Sequence, residues 1–220
     1  MPSPEICACI TSLDDLDAAL AARDLVSLYE VRMDLVGSDW PRVAAALALP
    51  WIACNRLASQ GGGCHSEEPE RLDSLKRAID LGAAFVDIEM TAPDVRAFVS
   101  SVKGSVRVLV SHHDFELTET EDSLVNIVER ERALGADVCK VVTTARSTED
   151  CVTMVRLVRR LQAEPIVAFA MGHLGMASRV LSPLAGAMFT YASLSVGREA
   201  APGQLTVGAL RALYDAIGAT

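Results

Sequence analysis

Long hydrophobic runs are missing from this sequence of 220 residues, although half of its residues are hydrophobic. Every apolar stretch is short and interrupted, which excludes a membrane-spanning helix. The opening from Met1 to Glu5 lacks the basic and apolar regions of a secretion signal, so a cytoplasmic location is expected. A basic surplus is missing too. With a net charge of −9 and an isoelectric point near 4.9, the chain offers no basic face to the phosphates of a nucleic-acid partner. The six cysteines, Cys7, Cys9, Cys54, Cys64, Cys139 and Cys151, show neither paired Cys-x-x-Cys spacing nor disulfide-scaffold density. They read as reduced, mostly buried small residues. No linker, low-complexity tract or block of like charge marks a boundary, so residues 1–220 read as one domain. Lysine is the scarcest charge, at three residues against seventeen arginines.

What is present is a regular alternation of β-rich and helix-like segments. The strand candidates are Ile6–Thr11, Leu25–Leu35, Trp51–Arg56, Phe85–Met90, Arg107–His112, Val138–Thr143, Pro165–Met171 and Met188–Ser193. Helix start signals lie between them at Ser12, Ser66, Thr118 and Ser147. The segment after Thr118 carries Leu124, Val125, Ile127, Val128 and Leu134 on one side, and Glu129, Arg130, Glu131 and Arg132 are expected on the other. Eight strand–helix units of roughly 27 residues suit a parallel (β/α)8 TIM barrel near the short end of its size range. A doubly wound open sheet shares the alternation, but the first turn lacks any Gly-x-Gly-x-x-Gly, and the α/β barrel is preferred.

In a barrel, functional groups collect at the C-terminal ends of the strands. Glu30 and Arg32, Arg56, Asp87 and Glu89, His112 and His113, and Lys140 all fall there. Ionisable residues are costly in a buried strand unless they compensate one another around a ligand. Lys76 and Lys103 lie in polar surroundings, whereas Lys140 sits in the apolar run Val138–Thr143. If that run is buried, the amine must be desolvated or paired, and a desolvated amine is easier to deprotonate and more nucleophilic. The run alone equally admits a strand-end lysine that reaches water.

Together these residues resemble the type I 3-dehydroquinate dehydratase family. Glu30-Val31-Arg32-Met33-Asp34 is similar to its Glu-x-Arg-x-Asp strand, and Ser111-His112-His113-Asp114-Phe115 to its Ser-x-His-Asp-Phe motif. Lys140 follows one β/α unit later, then Met171-Gly172, Ser178-Arg179, Phe189-Thr190-Tyr191 and Ala201-Pro202-Gly203-Gln204. The resemblance implies dehydration of 3-dehydroquinate through an imine on Lys140, with His113, immediately before Asp-Phe, as the proton shuttle. Imidazole titrates near neutrality, which suits transfer in both directions. Periodicity alone does not separate His113 from His112. The resemblance implies that Arg179 and Gln204 hold the substrate carboxylate and that Glu30, Arg32 and Arg56 hold ring hydroxyls. Cys9, Gln60, Met171, Tyr191, Ala200 and Ala201 are further candidate contacts. Asp87 and Glu89 are expected to support the arginines from behind, and Asp34 to orient Arg32 or close its strand. The family also implies a homodimer, no metal and no dissociable cofactor.

The chain departs from the family pattern at Gln60, where Glu-Gly-Gly is usual, at Ala200, where serine is common, and at Cys9, where serine often ends the first strand. It also starts almost directly at its first strand, without the β-hairpin of many bacterial members. The triplet Gly61-Gly62-Gly63 lacks a P-loop lysine and reads as hinges of a mobile loop. Cys64 and His65 lack a second ligand pair for zinc, and His173 reads as a loop residue near the barrel mouth. Two competing functions are another lysine-imine barrel enzyme such as an aldolase, and a non-catalytic sensor of a quinate-like ligand. The first needs no joint Ser-x-His-Asp-Phe and Ala-Pro-Gly-Gln, and the second needs neither Lys140 nor His113.

Overall fold

A computed structural model describes residues 3–219; residues 1, 2 and 220 of the expected domain lie outside the described residues. Among the described residues nine parallel strands form one sheet: β1 (Ile6–Ile10), β2 (Leu28–Arg32), β3 (Trp51–Cys54), β4 (Phe85–Glu89), β5 (Arg107–His113), β6 (Val138–Thr144), β7 (Ile166–Met171), β8 (Thr190–Ser193) and β9 (Leu205–Thr206). The helices are α1 (Leu16–Ala21), α2 (Met33–Val36), α3 (Trp40–Ala46), α4 (Glu68–Asp80), α5 (Val95–Val102), α6 (Glu121–Ala133), α7 (Thr148–Arg160), α8 (Met176–Ala185) and α9 (Val207–Ala216).

The ladders run β7-β6-β5-β4-β3-β2-β1-β8-β9, so the last full strand returns to pair with the first. Across the β7/β8 seam the Met188 N–H donates to the Ile166 carbonyl at 2.8 Å, and Phe169 meets Tyr191 edge-on at 6.0 Å. The result is the α/β barrel expected from the alternation. Eight of its strands match the sequence segments, with β2 trimmed to Leu28–Arg32 because helical turns begin at Met33. The ninth, β9, is a two-residue addition beside β8 that has no periodic signal of its own.

Two apolar layers position everything else. One lumen layer joins Cys7, Leu28, Ile52, Phe85, Leu109, Val138, Val167 and Phe189, one inward residue per strand of β1–β7 and one preceding β8. The alternate residues, such as Val31, Ala53, Val86, Val110 and Val141, pack outward against the helices. Strands buried on both faces read as nearly continuous hydrophobic runs, which is why their inward parity is hard to assign from sequence.

Helix boundaries differ modestly from the sequence signals. Ser12 and Ser147 cap as expected with capping boxes, but α4 is preceded by Glu67 rather than Ser66, and α6 is capped by Thr120 rather than Thr118. One polar assignment is reversed. Glu131 was expected on the solvent face of α6, yet it is fully buried, in helical register with Leu124 and Val128. Neither carboxyl oxygen has a hydrogen-bond partner among the described residues, and burial pushes its pKa well above the ordinary carboxylate value.

That raised pKa carries a stability signature. An acid that is kept protonated in the fold but ionises readily in the unfolded chain lowers stability as pH rises above its unfolded pKa. Glu131→Gln removes the ionisation, so its gain in melting temperature over the parent protein should be larger at pH 8 than at pH 4. Thermal melts at the two pH values read this directly; equal differences would show that Glu131 is not the responsible group.

Candidate active site

The inward residues next above the lumen layer, toward the C-terminal ends of the strands, are Cys9, Glu30, Cys54, Asp87, Ser111, Lys140, Phe169 and Tyr191. They follow from strand alternation: each lies two residues beyond an apolar lumen residue, which is on the same strand in every case except Tyr191, where Phe189 precedes β8. The next inward positions bring in Arg32, Glu89, His113, Val142 and Met171, with Arg56 just past β3. All of these groups except Asp87, Ser111 and Glu89 line one cavity, of about 530 Å3 when the space open to solvent is included, together with Gln60, Gly61, Phe115, Arg179, Ala200, Ala201 and Gln204. Every residue expected to touch substrate lines this one cavity.

Lys140 is 4% exposed, so it does not reach bulk water as a snorkelling lysine would. Its Nζ donates to Asp87 Oδ2 at 2.7 Å, the Tyr191 hydroxyl at 3.0 Å and Glu30 Oε1 at 3.4 Å. It also lies 4.4 Å from the Tyr191 ring centroid. Burial alone lowers an amine's pKa, but the attraction of Asp87 and Glu30 reverses the sign, and Lys140 is raised above the ordinary lysine value. Of the two alternatives for a buried lysine, desolvated or paired, the structure shows the paired one. The resting site holds an ammonium, and losing its proton requires a change in its surroundings.

Asp87 is more than a support for arginine. Besides Lys140 it binds Arg56 Nη2 at 2.7 Å and accepts from Ser111 Oγ at 2.7 Å, and Arg56 Nη1 donates to the same hydroxyl at 2.9 Å. Arg56, Lys140 and His113 together hold its pKa well below the usual carboxylate range. Glu89 takes the supporting place, binding Arg56 at 3.1 Å and Arg71 at 2.9 Å. Arg71, fully buried on α4, was invisible in the sequence because its surroundings read as an ordinary polar helix face. Asp34 orients Arg32 through two bonds of 2.9 and 2.6 Å and accepts the Gly63 N–H at 2.9 Å.

The glycine triplet is explained by close approach. A Cβ on Gly62 would fall 2.1 Å from the Arg56 carbonyl oxygen, and one on Gly63 2.9 Å from the Asp34 carbonyl oxygen. Hinges are not needed to account for these two glycines. They let the loop lie directly on the arginine-bearing strand ends.

Arg179, on α8, is 1% exposed and stacks 4.2 Å above the Phe169 ring. Its Nη2 donates to the Pro202 carbonyl at 3.3 Å, while its Nε has no partner among the described residues. Among the described residues it is the cavity-lining guanidinium with no carboxylate in salt-bridge range. Burial without a counter-ion pulls its pKa down to about 10. Gln204 accepts the Ala200 N–H at 2.7 Å and donates to Cys9 Sγ at 3.2 Å, and burial pushes that thiol up to about 12.

The two histidines separate by strand parity. His113 shares the inward side of β5 with Leu109 and Ser111 and lines the cavity; it stacks on Phe115 at 6.0 Å and 12°, and its buried Nδ1 has no partner among the described residues. His112 faces outward into a groove with Asp114, Glu119 and Arg130. Burial, with Arg56 and Lys140 nearby, holds His113 well below its ordinary pKa and so neutral near pH 7. His173 lines a second groove at the mouth with Glu199 and Gln204. Among the described residues one trio, Glu30, Cys54 and Asp87, has metal-ligating atoms within 4.8 Å of one another, but two of its members hold the Lys140 ammonium.

A parallel barrel with its ionisable groups gathered inside the carboxyl ends of the strands is the layout of a barrel enzyme for a small polar substrate. The family model for type I 3-dehydroquinase matches residues 6–220. A 3-dehydroquinate dehydratase of Dehalococcoides mccartyi is 36% identical over 217 residues, covering 99% of this chain and 97% of that protein. The crystal structure of the 3-dehydroquinate dehydratase of Geobacillus kaustophilus is similar at a TM-score of 0.83 and 25% identity, covering 98% of this chain and 91% of that one. The fold is also that of a type I enzyme from Clostridium difficile, at a TM-score of 0.87 and 20% identity over 99% of this chain and 93% of that one. The chain belongs to the type I 3-dehydroquinase family.

Gln60 lines the cavity where the family pattern has glutamate. A carboxylate there would favour the imidazolium form of His113 and raise its pKa. A neutral base loses activity as pH falls through its pKa. The acid limb of the Gln60→Glu pH–rate profile is therefore expected at higher pH than in the parent enzyme. An unchanged or downward-shifted limb, with both proteins equally folded, would show that residue 60 does not couple to His113.

Proposed function

We propose that this chain dehydrates 3-dehydroquinate to 3-dehydroshikimate and water through an imine on Lys140, the third step of the shikimate pathway, with the whole chain serving as one catalytic barrel. The observation that carries the reading is a buried ammonium in the same cavity as a buried, counter-ion-free guanidinium. The first suits a ketone and the second a carboxylate, and the proposed substrate has both. The family match supports this dehydratase rather than an aldolase or a sensor.

Docking of the substrate carboxylate on Arg179 and Gln204 would supply the missing counter-ion. Glu30, Arg32 and Arg56 then meet the ring hydroxyls, with Cys9, Gln60, Met171, Ala200 and Ala201 shaping the remaining walls. When a substrate hydroxyl competes for Glu30, one of the two carboxylates that hold the Lys140 proton is weakened, and the amine becomes available to the ketone. The resulting cationic imine withdraws electrons from the adjacent carbon and lowers the barrier to removing its proton. Neutral His113 takes that proton and returns it to the departing hydroxyl, which leaves as water. No metal or dissociable cofactor is needed, because Lys140 supplies the electron sink. A cytoplasmic homodimer completes the proposal.

Borohydride added during turnover should attach ligand mass to the peptide containing Lys140; label on Lys76 or Lys103, or none, would refute the imine assignment. His113→Ala should lower turnover by roughly two to four orders of magnitude while still allowing slow adduct formation, and His112→Ala should do much less. Equal losses in two well-folded variants would remove His113 from the shuttle role. Chelators should leave activity intact, and a loss restored by zinc would overturn the metal-free chemistry.

A further inference from the structure

The ammonium of Lys140 has three N–H bonds, and the structure gives each a partner: Asp87, Tyr191 and Glu30. An iminium nitrogen keeps only one N–H. Imine formation therefore frees two of the three partners, and the overall change moves two protons from nitrogen to the ketone oxygen, which departs as water. Something beside the nitrogen must carry them.

Asp87 is poorly suited, because Arg56 and Lys140 hold it firmly as a carboxylate with no proton to pass on. It is the natural partner for the one N–H that remains. Glu30 is farther from Nζ, and its other oxygen faces Cys9 Sγ at 3.7 Å. His113 makes no hydrogen bond to Lys140 among those of the described residues. The Tyr191 hydroxyl differs from all of these in being both an acceptor, 3.0 Å from Nζ, and a donor whose own hydrogen has no acceptor among the described residues. Its ring is fixed edge-on by Phe169 and Phe189, at 6.0 and 5.4 Å, so the hydroxyl is held in place by packing rather than by a second bond.

We propose that Tyr191 is a catalytic residue of the imine-forming and imine-hydrolysing steps, relaying protons between the Lys140 nitrogen and the substrate oxygen. As the C–N bond forms and the carbonyl π electrons move to oxygen, the phenol accepts a proton from nitrogen and gives its own to that oxygen, producing the carbinolamine. A second relay delivers another proton from nitrogen to the same oxygen; the C–O bond then breaks, water leaves and the nitrogen lone pair forms C=N. The phenol ends as it began and carries no net charge at any resting stage. That suits a hydroxyl whose burial, with Glu30 and Asp87 nearby, strongly disfavours phenolate. The role is additional to that of His113, which handles the carbon-bound proton and whose loss also slows adduct formation, and it rests on the proposed Lys140 imine.

The test mixes enzyme with 3-dehydroshikimate, which meets Lys140 through the same ketone, and quenches with borohydride at successive times. Tyr191→Phe keeps the ring and its packing. Formation of the Lys140 adduct should slow by roughly 100-fold or more, and exchange of the ketone oxygen with 18O-labelled water should slow equally. The final amount of trapped adduct should not change, because a relay speeds both directions alike. An unslowed rate, or a reduced plateau, would overturn the relay: the first shows that the hydroxyl is idle, the second that it merely stabilises the adduct. Absence of any Lys140 adduct in the parent enzyme would refute the imine reading itself, a distinct outcome. Should Tyr191→Phe not fold, 3-fluorotyrosine placed at residue 191 retains the hydroxyl with altered acidity, and an adduct rate unchanged from the parent would equally overturn the relay.

Discussion

The Asp87 carboxylate is the contact on which the rest of the site depends. One oxygen binds Lys140, and the other binds Arg56 and the Ser111 hydroxyl, so a single side chain joins β4 to β5, β6 and the end of β3. It is 1% exposed, and three charges so far from water are tolerable only together. Glu89 and Arg71 extend the network outward to α4, and Glu30 extends it toward β2. Breaking such a buried pair from one side costs about 3–5 kcal/mol because a charge is left uncompensated. The site's electrostatics and the barrel's integrity are therefore the same problem.

The network also resolves an apparent conflict between burial and reactivity. Desolvation alone would make Lys140 a ready nucleophile, but two carboxylates keep it charged at rest. Arg179 shows the opposite balance, with desolvation opposed by the Cys9 thiol but, among the described residues, by no carboxylate in salt-bridge range. One cavity thus contains a satisfied cation and an unsatisfied one. A ligand that brings a negative charge to the second and competes for the partners of the first changes both at once.

Much of this was legible in the sequence, for identifiable reasons. Alternation of short β-rich runs with capped helices gave the barrel, and ionisable residues at strand ends gave Glu30, Arg32, Arg56 and Lys140 as one set. What stayed hidden depended on which parity faced the lumen. In β5 both Val108 and Val110 outside and Leu109 inside are apolar, so nothing local showed that His113 rather than His112 points inward. The same ambiguity concealed Ser111 as a bridge and Asp87 as a direct partner of Lys140. Glu131 was missed for a helical version of the reason: its charge suggested solvent, while its spacing from Leu124 and Val128 placed it on the buried face. Arg71 lies among acidic and basic neighbours on α4, and only the tertiary position of Glu89 reveals why it is buried.

The distribution of the charged layer over the chain bears on how the barrel can come apart. Glu30, Arg56 and Asp87 come from β2, the loop just past β3 and β4, whereas Lys140 and Tyr191 come from β6 and β8, and Arg179 from α8. A first-half fragment would bury two carboxylates beside Arg56 without their ammonium, and a second-half fragment would bury Lys140 without either of the two carboxylates that pair with it. Each half by itself is electrostatically frustrated, even though each has its own share of apolar core. The barrel should then lack a stable half-folded form and behave as one cooperative unit, although its β/α repeats would geometrically permit stepwise assembly. The same polar layer that binds the ligand would thereby suppress partly assembled states with exposed strand edges, linking the chemistry of the pocket to protection against aggregation.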